Sequence, residues 1–135
     1  MNEILWSPSN EKIKNSNLFN FKTLIEKKYK INFDTDYEKL WNWSVNFNEN
    51  FWSECWDFFK IQGTKGKEII RKDEIFHKTK FFPNGKINFA KNLISKNNSE
   101  LAITFRSETG FEKHIEWNKL YKKTCIFSSF LKKIG

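Results

Sequence analysis

A proline followed by Asn-Gly sits in the stretch Lys80-Phe81-Phe82-Pro83-Asn84-Gly85-Lys86-Ile87-Asn88-Phe89-Ala90-Lys91-Asn92-Leu93. Proline presets one backbone angle and Asn-Gly tolerates positive φ, so this chain must turn tightly here. An aromatic pair precedes the turn and an apolar run punctuated by asparagines follows it. Ile87, Ala90, Leu93 and Ile94 recur at helical spacing, which predicts the start of a helix within 85–97 with Asn88 as its cap or as a tie to the turn. The residues before and after this stretch differ in character.

Upstream, the spacing is helical. Ser7-Pro8-Ser9 is a turn with Ser9 as an N-cap candidate, and Asn15-Ser16-Asn17 offers a second cap. Leu18, Phe21, Leu24 and Ile25 then mark one helical face, and Trp6 is expected to anchor the N-terminal arm. Asp34 or Asp36 can cap a helix through Tyr37, Leu40 and Trp41, and Asn48 can cap the next. That next helix carries Phe51, Trp52, Cys55, Trp56 and Phe59 around more than one face, which predicts that it is largely buried. Residues 62–80 read as a polar connector. It contains a short strand candidate at Glu68–Arg71 and a Gly63-Thr64-Lys65-Gly66-Lys67 turn, whose spacing and context are not those of a phosphate loop.

Downstream, the period changes. Leu101, Ile103 and Phe105 alternate with Ala102, Thr104 and Arg106, a strand pattern. Ser107-Glu108-Thr109-Gly110 is a turn, and Phe111–Glu116 can pair back as a hairpin. Leu120, Thr124, Phe127, Leu131 and Ile134 form one stripe of a helix whose lysines lie mostly elsewhere. Lys132 and Lys133 suit the negative end of its dipole. That helix is expected to lack the bulky apolar face of a membrane-surface helix. A hairpin edge and a helix face are left without partners, which is expected of a truncated chain or one piece of a split protein.

Composition narrows the classes. The 135 residues include 15 Phe and 6 Trp, enough for a core, and no apolar run approaches the ~20 residues that span a bilayer. The first residues, Met1–Trp6, lack a basic region and a long apolar run, so no secretory leader is expected and the cytoplasm is the expected compartment. Cys55 and Cys125 have neither a CxxC partner nor zinc-like spacing, and His77 and His114 lack metal-motif context, so no structural metal is expected. The net charge of +8 would suit an anionic partner such as nucleic acid. However, the paired tryptophans sit at helical spacing with Glu38, Glu49, Glu54 and Asp57 between them, which favours core packing over base stacking.

Three ordered blocks resemble one family. Leu5-Trp6-Ser7-Pro8-Ser9, then Ser16-Asn17-Leu18 and Phe21, is similar to the Leu-Trp-x-Pro-Ser opening of acetoacetate–CoA ligases. Tyr37-Glu38-Lys39-Leu40-Trp41-Asn42-Trp43-Ser44-Val45 followed by Phe51-Trp52 resembles their Tyr-x-x-Leu-x-x-Trp-Ser-Val…Phe-Trp pattern. The 80–93 stretch resembles their Trp-Phe-Pro-Gly-x-x-Leu-Asn-Tyr-Ala-x-Asn-Leu segment, with Phe81 in place of Trp and Asn84-Gly85 in place of Gly plus a small residue. Related acetate- and propionate-activating ligases share the Phe-Trp element but generally lack the Trp-Ser-Val block.

The resemblance implies an α+β fragment of the AMP-forming acyl-adenylate superfamily. Residues 1–98 would be a mainly helical N-terminal cap, and 99–135 a hairpin and helix opening the α/β adenylate-forming domain. It implies that the intact enzyme joins acetoacetate to CoA through an acyl-adenylate, using ATP and Mg2+, with release of diphosphate and AMP. Its phosphate loop, acidic motifs and mobile lysine match nothing here. No catalytic, cofactor-binding or metal residue is therefore carried over; Phe82, Pro83, Gly85 and Asn88 are conformational candidates. This chain alone is expected to be inactive and to need the missing catalytic body as partner. The alternatives are a fragment of an acetate- or propionate–CoA ligase, a basic aromatic binding module for nucleic acid, and a split-gene relic.

Overall fold

The structure is a computed structural model that describes residues 5–135. Met1–Ile4, on which the expectation of no secretory leader partly rests, lie outside the described residues. The chain forms two compact units, one ending at Lys86 and one running from Ile87 to Gly135. The fold class is α+β, a helical first part followed by a hairpin and a helix.

The first unit is built on four helices: α1 (Asn10–Lys14), α2 (Asn17–Tyr29), α3 (Tyr37–Asn46) and α4 (Asn48–Phe58). Their starts follow from the caps. Ser9 Oγ accepts from Lys12 N (3.3 Å), Ser16 Oγ from Phe19 N (3.1 Å) and Asp36 Oδ1 from Glu38 N (2.9 Å). Each satisfies one of the backbone donors that a helix start leaves unpaired. Asn48 does not cap α4, as expected of it, but is its first residue. Phe47 ends α3 and starts α4: its N–H donates to Trp43 O and its O accepts from Phe51 N, both at 2.9 Å.

Phe21, Ile25, Phe33, Leu40 and Trp43 form the core, with Tyr29, Phe51, Cys55 and Phe58 packed against it. The rings meet edge to face, Phe21–Phe58 at 5.2 Å and Tyr29–Trp43 at 5.3 Å, the geometry that ring quadrupoles favour. Two expectations fail. Helix α4 is not largely buried: Glu54 is its one buried residue, while Trp52 and Phe59 are exposed. Trp6 is no packed anchor, being 70% exposed. Beyond α4, β1 (Gly63–Thr64) is followed by the antiparallel pair of β2 (Ile70–Arg71) with β3 (Lys80–Phe81). A 3-10 turn at Phe76–Lys78 lies between the last two. Strand β4 (Lys86–Ile87) falls at the junction of the units.

The second unit holds α5 (Phe89–Leu93), the β5 (Leu101–Arg106) and β6 (Glu112–Glu116) hairpin, and α6 (Trp117–Ile134). Helix α5 is only five residues long, ending at Leu93 within the expected span. The hairpin pairs Arg106 with Glu112 and Ile103 with Ile115, with a bulge between Leu101 and Ile103. Gly110 takes φ 81° at its turn, a conformation that favours glycine. Trp117 N donates to Glu100 O (3.0 Å) and Asn118 N to Asn98 O (2.9 Å), tying the start of α6 to the segment before β5. No residue of this unit is buried. Helix α6 also departs from expectation, since Ile126, Phe127, Phe130, Leu131 and Ile134 give it a bulky apolar surface open to solvent.

Candidate functional site

The Pro83 turn is closed by Gly85 N donating to Phe82 O (2.8 Å), and Phe82 N continues the β2–β3 pairing by donating to Ile69 O (2.7 Å). The positive φ expected at Asn84-Gly85 falls instead on Phe82, at 47°. A bulky residue in this region costs roughly 1–3 kcal/mol, and the following proline restricts it further. Its ring offsets this cost by packing on Trp56, centroids 4.8 Å apart, while Phe81 meets Trp52 at 5.1 Å. The two tryptophans lie one turn apart on α4, so that helix positions both rings. Gly85 is required by space: a Cβ there would lie 3.0 Å from both Phe82 Cβ and Phe82 O.

Lys65 adds a tie that the sequence did not disclose. Its Nζ donates to Asp57 Oδ2 (2.7 Å), Ser53 Oγ (3.0 Å) and Ser53 O (3.2 Å), fixing the 63–67 turn to α4. In the second unit, Asn88 caps α5, its Oδ1 accepting from Lys91 N (2.9 Å). Phe82, Pro83, Gly85 and Asn88 thus act on backbone conformation.

The charged groups of the first unit are structural in geometry. Glu54, 5% exposed, accepts at Oε1 from Lys28 Nζ (2.6 Å) and from Tyr29 OH (2.9 Å). The hydrogen bond to Glu54 raises the Lys28 pKa above its ordinary value. Burial, then the bond to Glu54, raises that of Tyr29. Glu26 Oε1 takes Lys22 Nζ (2.9 Å) and Phe33 N (2.8 Å), and the Lys22 bond is the main cause that lowers its pKa. Burial pushes the Cys55 thiol up, away from the reactive thiolate. His77 is exposed in the 3-10 turn. His114 lies between Thr104 Oγ1 (3.1 Å) and Glu112 Oε1 (2.9 Å) on the hairpin.

These residues do not fit a nucleotide phosphate or its Mg2+. A phosphate loop needs a free lysine and converging backbone N–H groups, whereas the Lys65 ammonium is committed to Asp57 and Ser53. Among the described residues no group of three His, Cys, Asp or Glu gathers at metal-binding distance. An apolar crevice of about 310 Å³ opens beside the core, lined by residues including Leu18, Tyr37, Trp41 and Phe59. Its size lies at the small end for a ligand cleft, and it lacks the convergent charged groups that fix a polar substrate.

Comparison with known proteins supplies what this geometry does not. No protein-family model matches the chain. An acetoacetyl-coenzyme A synthetase of Rhizobium meliloti (strain 1021) is 29% identical over 116 residues, which cover 86% of this chain and 18% of that protein. An acetyl-coenzyme A synthetase of Desulfatibacillum aliphaticivorans is 33% identical over 111 residues, 76% of this chain and 17% of the relative. The fold matches the solved acetoacetyl-CoA synthetase of Streptomyces lividans with a TM-score of 0.84 at 18% identity, over 99% of this chain and 21% of that one. The chain thus spans about a fifth of the length of the relatives it matches.

Proposed function

We infer, from a chain that is related to AMP-forming acyl-CoA synthetases and spans about a fifth of their length, that it is the N-terminal part of an acetoacetate–CoA ligase. The intact enzyme would convert ATP, acetoacetate and CoA to acetoacetyl-CoA, AMP and diphosphate. ATP, Mg2+ and CoA would be held by the rest of the polypeptide, and the 135-residue chain alone would form no acyl-adenylate. Residues 1–98 are proposed as the helical cap and 99–135 as the opening of the adenylate-forming domain. This boundary falls inside the second compact unit, so α5 would belong to the cap by sequence and to the hairpin–helix unit by contact. The cytoplasm is proposed as its compartment, a setting in which Cys55 and Cys125 would stay as free thiols. No helix among the described residues is long and apolar enough to cross a membrane.

The observation that carries the reading is the similarity to the Rhizobium meliloti protein across most of the chain. The three resembling blocks also contribute to the first unit: Phe21, Leu40 and Trp43 lie in its core, and Trp52, Phe81 and Phe82 hold the turn together with Trp56, which lies outside the blocks. The higher identity to an acetyl-coenzyme A synthetase favours a second reading, an acetate-activating ligase.

The test is to sequence the source DNA on both sides of this coding region and express the joined frame. The expected product carries a Thr/Ser/Gly-rich phosphate loop and releases diphosphate faster with acetoacetate than with acetate or propionate. The 135-residue chain alone should release none. A preference for acetate would select the second reading. Flanks that encode no such loop, with tight nucleic-acid binding that falls steeply with salt, would replace both by the binding-module reading.

A further inference from the structure

Asn84 is the one asparagine of the sequence that a glycine follows, and its side chain is exposed. This pair carries a chemistry of its own. The backbone nitrogen after an asparagine can attack the asparagine's side-chain carbonyl carbon and close a succinimide ring. Glycine presents the least shielded nitrogen, because it has no Cβ to crowd the approach. Here the new bond would join Gly85 N to Asn84 Cγ. Gly85 N gives up its proton, the bond from Cγ to Nδ2 breaks, and Nδ2 takes a proton and leaves as ammonia. Water then opens the ring at either carbonyl. One opening gives aspartate, and the other gives isoaspartate, in which the main chain runs through the former side chain. Water is the only co-reactant.

The folded turn withholds the nucleophile. Gly85 N donates to Phe82 O at 2.8 Å, so the nitrogen that must attack is directed at another carbonyl. The turn is also clamped from two sides. On one, Phe82 is held at φ 47° by its ring on Trp56, and Phe81 meets Trp52. On the other, the segment Lys65-Gly66 lies against it. A Cβ on Gly66 would meet Asn84 C and Cβ at 3.3 Å, and a Cβ on Gly85 would meet Lys65 O at 3.5 Å. Lys65 is itself tied to Asp57 and Ser53, so both clamps end on α4. The bond from Gly85 to Phe82 must break, and Asn84 must rotate, before the ring can close.

We propose that Asn84 is a modification site, deamidated by way of Gly85 N when the turn opens, and that the two clamps on α4 set the rate. The product does not refit. Both forms add a negative charge, and isoaspartate lengthens the main chain by a methylene where Gly66 closely approaches it. The modified turn loses the Gly85–Phe82 bond and loosens the contacts of Phe81 and Phe82 with α4.

The experiment incubates the 135-residue chain in mildly alkaline buffer, with and without urea, and follows position 84 by peptide mapping and mass spectrometry. In urea, position 84 should convert faster than any other asparagine, to aspartate and isoaspartate together. If it does not, the site is wrong. In the native chain, conversion should be slowed by the same factor as hydrogen exchange of the Gly85 amide, because one opening exposes that nitrogen to both reactions. Trp56→Leu releases the ring of Phe82, and Lys65→Met releases the other clamp. Each variant that circular dichroism shows to be folded should convert and exchange severalfold faster than the wild type, yet slower than the chain in urea. The two substitutions act on different clamps, so either one alone suffices if the other does not fold. Equal rates with and without urea would show that the turn does not gate the reaction. Folded clamp variants that convert at the wild-type rate would remove α4 from it. Either result overturns the proposal.

Discussion

Replacing Glu54 tests whether the first unit is held by a buried acceptor or merely decorated by an ion pair. Glu54 is buried at 5% exposure, but the Lys28 side chain beside it is 55% exposed. Removing one member of a fully buried pair costs about 3–5 kcal/mol because the other charge is stranded. Here the stranded partner would be Lys28, and it can return to water, so that mechanism contributes little. What remains is Tyr29, part-buried and sharing the same Glu54 oxygen at 2.9 Å, whose ring packs on Trp43 at 5.3 Å. A hydrogen bond to a charged acceptor is worth about 1.5–3 kcal/mol. Glu54→Ala should therefore cost about 2–3 kcal/mol, with lost side-chain packing included. Glu54→Gln keeps an acceptor of the same shape and should cost about 1 kcal/mol. Lys28→Met should cost well under 1 kcal/mol, as for an exposed ion pair.

The assay is urea unfolding followed by tryptophan fluorescence. Trp6, Trp41, Trp43, Trp52 and Trp56 all lie in the first unit, so the signal reports mainly on it. The pH dependence supplies a sign. Lys28 has its folded-state pKa raised above the ordinary 10.5, chiefly by the Glu54 bond. The pair's contribution is thus fully present below pH 10.5 and is lost as pH rises through the folded value. Glu54→Ala and the wild type should converge partly in that window. If Lys28→Met proves as costly as Glu54→Ala, the charge pair carries the stability and the argument from Tyr29 is refuted.

Three further outcomes are expected of the first unit. Ile25→Ala, at a fully buried position of the α2 face, should lose about 2–5 kcal/mol in the same urea titration; a loss under 1 kcal/mol would mean that the core is loose. Phe82→Ala and Phe82→Gly remove the same ring from Trp56, but only glycine relaxes φ 47°, so thermal melts should show the alanine variant less stable by about 1 kcal/mol. Glu26 has its pKa lowered from the ordinary 4.5 chiefly by the Lys22 bond. Its contribution is present above pH 4.5 and lost as pH falls through the folded value, so Glu26→Gln should flatten the acid limb of stability, and an unchanged limb would count against the bond.

What the sequence disclosed here is what local chemistry fixes. Ser9, Ser16 and Asp36 were legible as caps because a short oxygen-bearing side chain before a helical stretch has few other uses. The hairpin around Ser107–Gly110 was legible because alternation changed to a turn and back. The failures lie where long-range contacts decide. Phe47, not Asn48, takes the N-cap position of α4 because two helices abut with no loop between them, so one residue caps the end of the first and the start of the second. The left-handed residue of the turn is Phe82 because Trp56, far away in sequence, holds its ring. Lys65 looked like one solvated lysine among many until α4 brought Asp57 and Ser53 to it. Spacing along a chain cannot show such a partner.

Helix α6 shows a different limit. Its stripe of Leu120, Thr124, Phe127, Leu131 and Ile134 was found by period alone, and period says which residues share a face but not what that face meets. The usual inference, that an apolar stripe marks the side toward the core, holds for α2, where Phe21 and Ile25 are buried. It fails for α6, because the stripe belongs to a surface that this chain does not itself cover. The first unit buries its apolar faces within its own helices, whereas the second leaves the apolar face of α6 open to solvent.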